Sequence, residues 1–143
     1  MVTGSVAESV APTEIASTKD KLALARVWLA RNTGNDPQRA LEILSELSAG
    51  SSASAQVWND KGVAEFELRR YEEATVSFSA ALQLSPAMPE ALFNRALSEE
   101  ATERLEQARL DLEKFISTTR DPRWQQEAES RLADLGSPSV APR

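Results

Sequence analysis

The fold class this sequence predicts is an all-α right-handed solenoid of three helical hairpins closed by a C-terminal capping helix. Three observations lead there: large apolar letters recur with a fixed period, the composition favours helix, and Asp-Pro pairs at Asp36-Pro37 and Asp121-Pro122 mark helix starts. Only five Gly are present, and β-branched residues are sparse beside Ala, Leu, Glu and Arg.

The period is carried by the stretch "WNDKGVAEFELRRYEEATVSFSAALQLSP", Trp58 to Pro86. A forward shift by one period places Trp58 on Leu92, Gly62 on Ala96, Tyr71 on Leu105, Ala74 on Ala108, Phe78 on Leu112 and Ala81 on Phe115. The same shift backward gives Leu24, Trp28, Pro37, Ala40, Leu44 and Leu47, a degenerate copy. Within each copy the apolar spacing is that of two amphipathic helices with a break between them.

Helices are expected near 18–32, 37–48, 55–69, 72–84, 89–103, 106–118 and 122–135. The first carries Leu24 and Trp28 and stops at "TGNDP", where Asp36 is expected to cap the second helix and Pro37 to occupy its first position. Trp58 and Gly62 belong to the third; Glu72 and Glu73 open the fourth, where acidic residues favour the macrodipole. Pro86 and Pro89 separate it from the fifth, which carries Leu92 and Ala96, and the sixth carries Ala108, Leu112 and Phe115. The seventh, "RWQQEAESRLADL", sets Trp124, Ala128, Leu132 and Leu135 on one stripe and turns Gln125, Gln126, Glu129 and Asp134 elsewhere, as a cap requires. The domain therefore spans 18–135, with repeats at about 21–54, 55–88 and 89–122 and the cap at 122–135. Residues 1–17 and 136–143 are expected to be disordered tails, or linkers cut from a longer polypeptide.

Of the 143 residues, 41% are hydrophobic and 27% charged, ordinary for a soluble globular chain. A net charge of −6 argues against binding a phosphate backbone, so no nucleic acid partner is expected. Neither Cys nor His is present, which removes disulfides, thiolate zinc sites and the commonest general base. No Asp/Asn/Gly calcium loop occurs, and neither metal nor cofactor is expected. Apolar runs are too short to span a bilayer, and "MVTGSVAESVAPTEIA" lacks the basic and long apolar regions of a signal peptide, so a cytoplasmic location without membrane insertion is the expectation.

Trp58, Gly62, Tyr71, Ala74, Phe78, Ala81 and Pro86 resemble the frame of the tetratricopeptide repeat (TPR) family, and the likeness covers nearly everything but the tails. Lys61 and Glu65 depart from that frame, the missing ring being supplied by Phe66. A narrower likeness connects "WNDKGVAEFELRRYEEA", "PEALFNRAL" and "DPRWQQEAESRL" to TPR arrays that precede CHAT peptidase domains in bacterial proteins. Packing alone accounts for the repeated letters: Gly62 and Ala96 let helix backbones approach closely, and Trp58 and Phe78 are expected as core rings.

The TPR resemblance implies that the first helix of each repeat lines a concave groove. Its second, fifth, ninth and twelfth positions are Leu22, Gln56, Glu90 and Trp124; Ala25, Asn59, Phe93 and Glu127; Leu29, Val63, Leu97 and Arg131; Asn32, Phe66, Glu100 and Asp134. The expected partner-binding groove comprises Leu22, Arg26, Leu29, Gln56, Asn59, Val63, Phe66, Glu90, Phe93, Asn94, Leu97, Trp124 and Arg131. Leu29, Val63 and Leu97, flanked by Phe66 and Phe93, form an apolar track suited to a peptide or protein segment, with Gln56, Asn59 and Asn94 bonding its backbone. A clamp for a C-terminal carboxylate does not fit, because Arg26 is the one basic residue in that region.

Glu72 with Glu73, and Glu99 with Glu100 and Glu103, are the carboxylate clusters that could suggest catalysis. The first is expected to open a helix in solvent and the second to lie along a wet face, so no enzyme is expected. The function expected is a non-catalytic interaction scaffold. Its alternatives are a structural self-association module, in which the groove or the polar-poor first helix pairs with another copy, and an adaptor segment of a larger multidomain protein.

Overall fold

The structure, a computed structural model, describes residues 17–50 and 53–136. Among the described residues there are seven helices and no strand: α1 Thr18–Arg31, α2 Asp36–Ser48, α3 Ala55–Glu67, α4 Tyr71–Leu84, α5 Pro89–Ala101, α6 Leu105–Thr118 and α7 Pro122–Gly136. The expected tails fall outside the described residues, except Ser17, whose Oγ caps α1, and Gly136, which ends α7.

Local signals set the helix starts. Ser17 Oγ accepts from the Asp20 N–H at 3.1 Å, and Ser54 Oγ from the Val57 N–H at 3.2 Å. Before α7, Asp121 Oδ1 accepts from the Arg123 N–H at 3.0 Å. Asp36, expected to do the same, does not. It is the first residue of α2, and its carboxylate turns back to the Thr33 N–H and hydroxyl and to the fork of Arg31, at 2.6 and 2.7 Å. A guanidinium within reach outcompetes the helix N–H groups, and it holds the Asp36 carboxyl well below the usual carboxylate range.

The period also governs the turns. Arg69 and Glu103 stand one period apart, both with φ of 64°, and in both hairpins the following N–H closes the turn: Arg70 onto the Glu65 carbonyl at 2.8 Å, Arg104 onto the Glu99 carbonyl at 2.7 Å. The first hairpin turns differently, through Asn32 at φ 49° and Gly34 at φ 53°.

Each helix packs against the next in sequence, and α1 touches α3 as α3 touches α5. The first helices of the hairpins therefore lie side by side as one layer, with α2, α4 and α6 as the other: a helical-repeat solenoid. Two buried clusters run through it, one around Ala25, Ala40, Leu41, Leu44, Val57 and Ala64, the other around Leu82, Leu92, Phe93, Leu112, Phe115 and Ala128. Between them Gly62 of α3 faces the Phe78 ring of α4. A Cβ on Gly62 would meet the Phe78 ring at 2.5–2.8 Å, so only glycine lets α3 settle onto that ring. No helix among the described residues is long and apolar enough to cross a membrane.

Candidate functional site

The layer of first helices presents a wall whose two ends differ. At its N-terminal end Leu22 and Leu29 are half-buried against the first core cluster, and Ala25 is wholly buried. Arg26 reaches across to Asp60, Nε to Oδ2 at 2.7 Å. Burial raises the Asp60 carboxyl while the Arg26 hydrogen bond opposes it, so this pair stitches α1 to α3. In the middle, Gln56 is exposed but Asn59 is buried and accepts from the Asn94 carboxamide at 3.2 Å. Phe66 meets Tyr71 edge-on at 4.9 Å, supplying the ring expected at this place. Val63, Phe66, Asn94 and Leu97 enclose a narrow cleft of about 120 Å³. The apolar track is thus mostly packed along α1 and α3.

At the C-terminal end the wall opens. Pro89, Glu90, Phe93, Asn94, Phe115 and Trp124, with Thr119, line a hollow of about 360 Å³. Beside it, Phe93, Trp124 and Arg131 share a second hollow of about 500 Å³ with Arg123 and Glu127. Three rings organise this end. Phe93, only 8% exposed, meets Phe115 at 5.1 Å and Trp124 at 5.2 Å, the latter edge-on, while Trp124 itself remains 47% exposed. Arg131 lies 5.9 Å over the Phe93 ring and is held by Glu100 at 2.8 Å and Glu127 at 3.1 Å.

Of the expected groove residues, the structure brings Glu90, Phe93, Asn94, Trp124 and Arg131 together around α5 and α7 and leaves Leu22, Arg26, Leu29 and Gln56 away from this opening. Pro89, Phe115 and Thr119 join the opening from outside the expected set. The signal for Phe115 lies in the period, since a ring stands where the middle copy has Ala81.

The carboxylates follow a different pattern. Glu99 does not lie along a wet face: it is 5% exposed, between α5 and α6. Arg95 forks onto Asp111 at 2.7 and 2.8 Å and donates to Ser79 Oγ at 3.0 Å, leaving Glu99 Oε2 at 3.7 Å from Nε. Among the described residues Glu99 Oε1 has no hydrogen-bond partner. Burial, reinforced by the Asp111 carboxylate, pushes the Glu99 carboxyl up to about 8. In the preceding hairpin the equivalent set is Lys61, Glu65 and Ser77; there the Ser77 hydroxyl donates to Glu65 at 2.6 Å, and burial raises that carboxyl too. Glu72 pairs with Arg104 in solvent.

A comparison with curated protein sequences returns no match. Among solved structures, a type III secretion complex from Aeromonas hydrophila superposes with a TM-score of 0.75 at 15% identity, covering 92% of this chain and 91% of that one. The type III secretion translocator chaperone SycD of Yersinia enterocolitica gives 0.71 at 15% identity, with 88% and 90% covered. The first TPR of Spaghetti (RPAP3), bound to an HSP90 peptide, gives 0.69 at 16% identity, with 84% and 96% covered. These likenesses establish the TPR fold; the likeness to arrays that precede CHAT peptidase domains has no counterpart in them. The model of one protein family, the coatomer epsilon subunit, matches residues 13–134. By that match, running from ahead of α1 into α7, this TPR-like chain belongs to the coatomer epsilon subunit family.

Proposed function

We propose that the chain is a non-catalytic scaffold that binds a peptide or partner segment along the layer of its first helices, anchored at the C-terminal end. The observation that carries this reading is the aromatic opening: Trp124 is half exposed beside a hollow of about 360 Å³ whose floor is Phe93 and Phe115. Apolar surface of this kind, rimmed by polar groups, is characteristic of an interface. An apolar side chain of the ligand enters between the rings, while Glu90, Asn94 and Thr119 bond its backbone.

The second TPR domain of human RPAP3 was solved with the HSP70 peptide SGPTIEEVD, which ends in acidic residues. Such a tail suits this wall poorly, because Arg26 is already held by Asp60, Glu90 stands at the opening, and the cations beside it, Arg123 and Arg131, are paired with Asp121 and with Glu100 and Glu127. The chemistry favours an apolar segment. Membership in a family named for a coatomer subunit supports a protein partner. Against catalysis, Glu99 is packed behind Arg95 and Glu72 faces solvent, so these carboxylates do not converge on either hollow.

Selection from a displayed random-peptide library tests the reading. Peptides retained by the wild type should be retained at least about tenfold less by Trp124→Ala and equally by Val76→Glu, which alters an exposed residue of α4. Equal retention by Trp124→Ala, or loss with Val76→Glu, contradicts the proposed anchor.

A further inference from the structure

The two ends of the stack are closed differently. At the C-terminal end α7 buries Ala128 and exposes Gln126, Glu129 and Asp134. At the other end α1 buries Ala25 but leaves Leu24 43% and Val27 58% exposed. Spacings of four, three and four residues align Asp20, Leu24, Val27 and Arg31 on one stripe of α1, and all four are exposed. Ala23 and Ala30 flank it, also exposed. On the helical wheel this stripe points away from Ala25, and it is separate from the side on which Arg26 reaches α3. No polar helix covers it among the described residues, although the end of a repeat stack needs one.

The stripe is complementary to itself. About a two-fold axis passing between residues 25 and 26, an antiparallel copy of α1 sets Leu24 against Val27 and Asp20 against Arg31, giving apolar contacts in the middle and opposite charges at each end. A parallel copy would set Asp20 beside Asp20 and Arg31 beside Arg31. The charge order therefore favours an antiparallel second copy of α1 over a parallel one. We propose that the chain forms a two-fold dimer through an antiparallel α1–α1 seam built on Leu24 and Val27, on a surface separate from the peptide-binding opening. Asp36 already shares the Arg31 guanidinium, so the Asp20 contact sets orientation more than strength. A seam one helix of 14 residues long falls at the small end of interface sizes, which makes the dimer weak and concentration-dependent.

Sedimentation equilibrium on the full chain over about a hundredfold concentration range should show reversible monomer and dimer. Leu24→Glu with Val27→Glu should stay monomeric throughout while retaining its far-UV helix signal, because both positions are exposed. Asp20→Lys, which removes the opposite charges at both ends, should weaken the dimer by about fivefold or less, and Leu110→Glu on exposed α6 surface should leave it unchanged. Because the sequence lacks cysteine, orientation can be read directly. A mixture of Leu24→Cys and Val27→Cys chains should cross-link as the mixed disulfide faster than either variant with itself. A wild type monomeric at every concentration overturns the proposal, including the case in which residues 1–16 cover the stripe, and so does a dimer that survives Leu24→Glu with Val27→Glu.

Discussion

In the middle hairpin the seam between helices is filled by Gly62 and Phe78, and in the third by Ala96 and Leu112, at equivalent positions of the period. The smaller residue on one helix goes with the larger on the other, so the same space is closed in two ways. The polar side of the two hairpins differs as well. Lys61, Glu65 and Ser77 satisfy one buried carboxylate with a hydroxyl, whereas Arg95, Glu99 and Asp111 set two carboxylates around one guanidinium. The stack thus fixes positions and leaves their chemistry open, and single substitutions can tell the two hairpins apart.

The largest effect is expected at the ring. Phe78→Ala should destabilise the fold by about 3–5 kcal/mol and Leu112→Ala by about 2–5 kcal/mol, as read by denaturant unfolding, because both side chains are wholly buried. Comparable values would show that the third hairpin is as tightly packed as the middle one. A negligible cost at either would break the equivalence.

Next comes the exchange of the two seams. Gly62→Ala should cost about 1–3 kcal/mol, since the new methyl meets the Phe78 ring. Adding Phe78→Leu installs the pair used by the third hairpin, and the double variant should be more stable than Gly62→Ala alone. A double variant weaker by the sum of both single effects would mean that the two seams are not alternatives.

The smallest effect separates the buried carboxylates by pH. The Glu99 carboxyl titrates near 8 in the folded chain against 4.5 unperturbed, so the folded state holds the proton more tightly than the unfolded state. The stability this gives is complete below about pH 4.5 and is lost as pH rises towards about 8. Glu99→Gln should flatten the stability profile over that window. Asp111→Ser, which copies the middle hairpin, should lower the Glu99 carboxyl by removing a like charge and giving Arg95 to it. A wild-type profile flat between those limits would contradict the assignment.

Much of this is legible in the sequence. Helix ends and turns follow from Pro37, Pro89 and Pro122, from the repeat period and from the polar outer face of "RWQQEAESRLADL". Asp36 departs from the expectation because a cap and an ion pair require the same residue type, and the choice falls to Arg31 on the preceding helix. Glu99 departs from it because a carboxylate in an acidic run looks solvated until the helix across the seam is placed. The period holds the clue, pairing Glu99 with Glu65 and Asp111 with Ser77. Within the wall, register finds Trp124, Phe93 and Glu90, but which end opens is not legible. That depends on Phe115 replacing a small residue and on α7 standing off far enough to leave its indole half exposed.

The repeated residues build the stack, and the opening between α5 and α7 is the surface proposed to recognise a partner. Titration of the best peptide from the library into isotope-labelled chain, followed through side-chain N–H resonances, separates the two roles. The Trp124 indole and Asn94 carboxamide signals should move in step with binding while the Trp58 indole, packed in the stack, stays in place. Movement of Trp58, or shifts confined to α4 and α6 with Trp124 unmoved, would contradict that division.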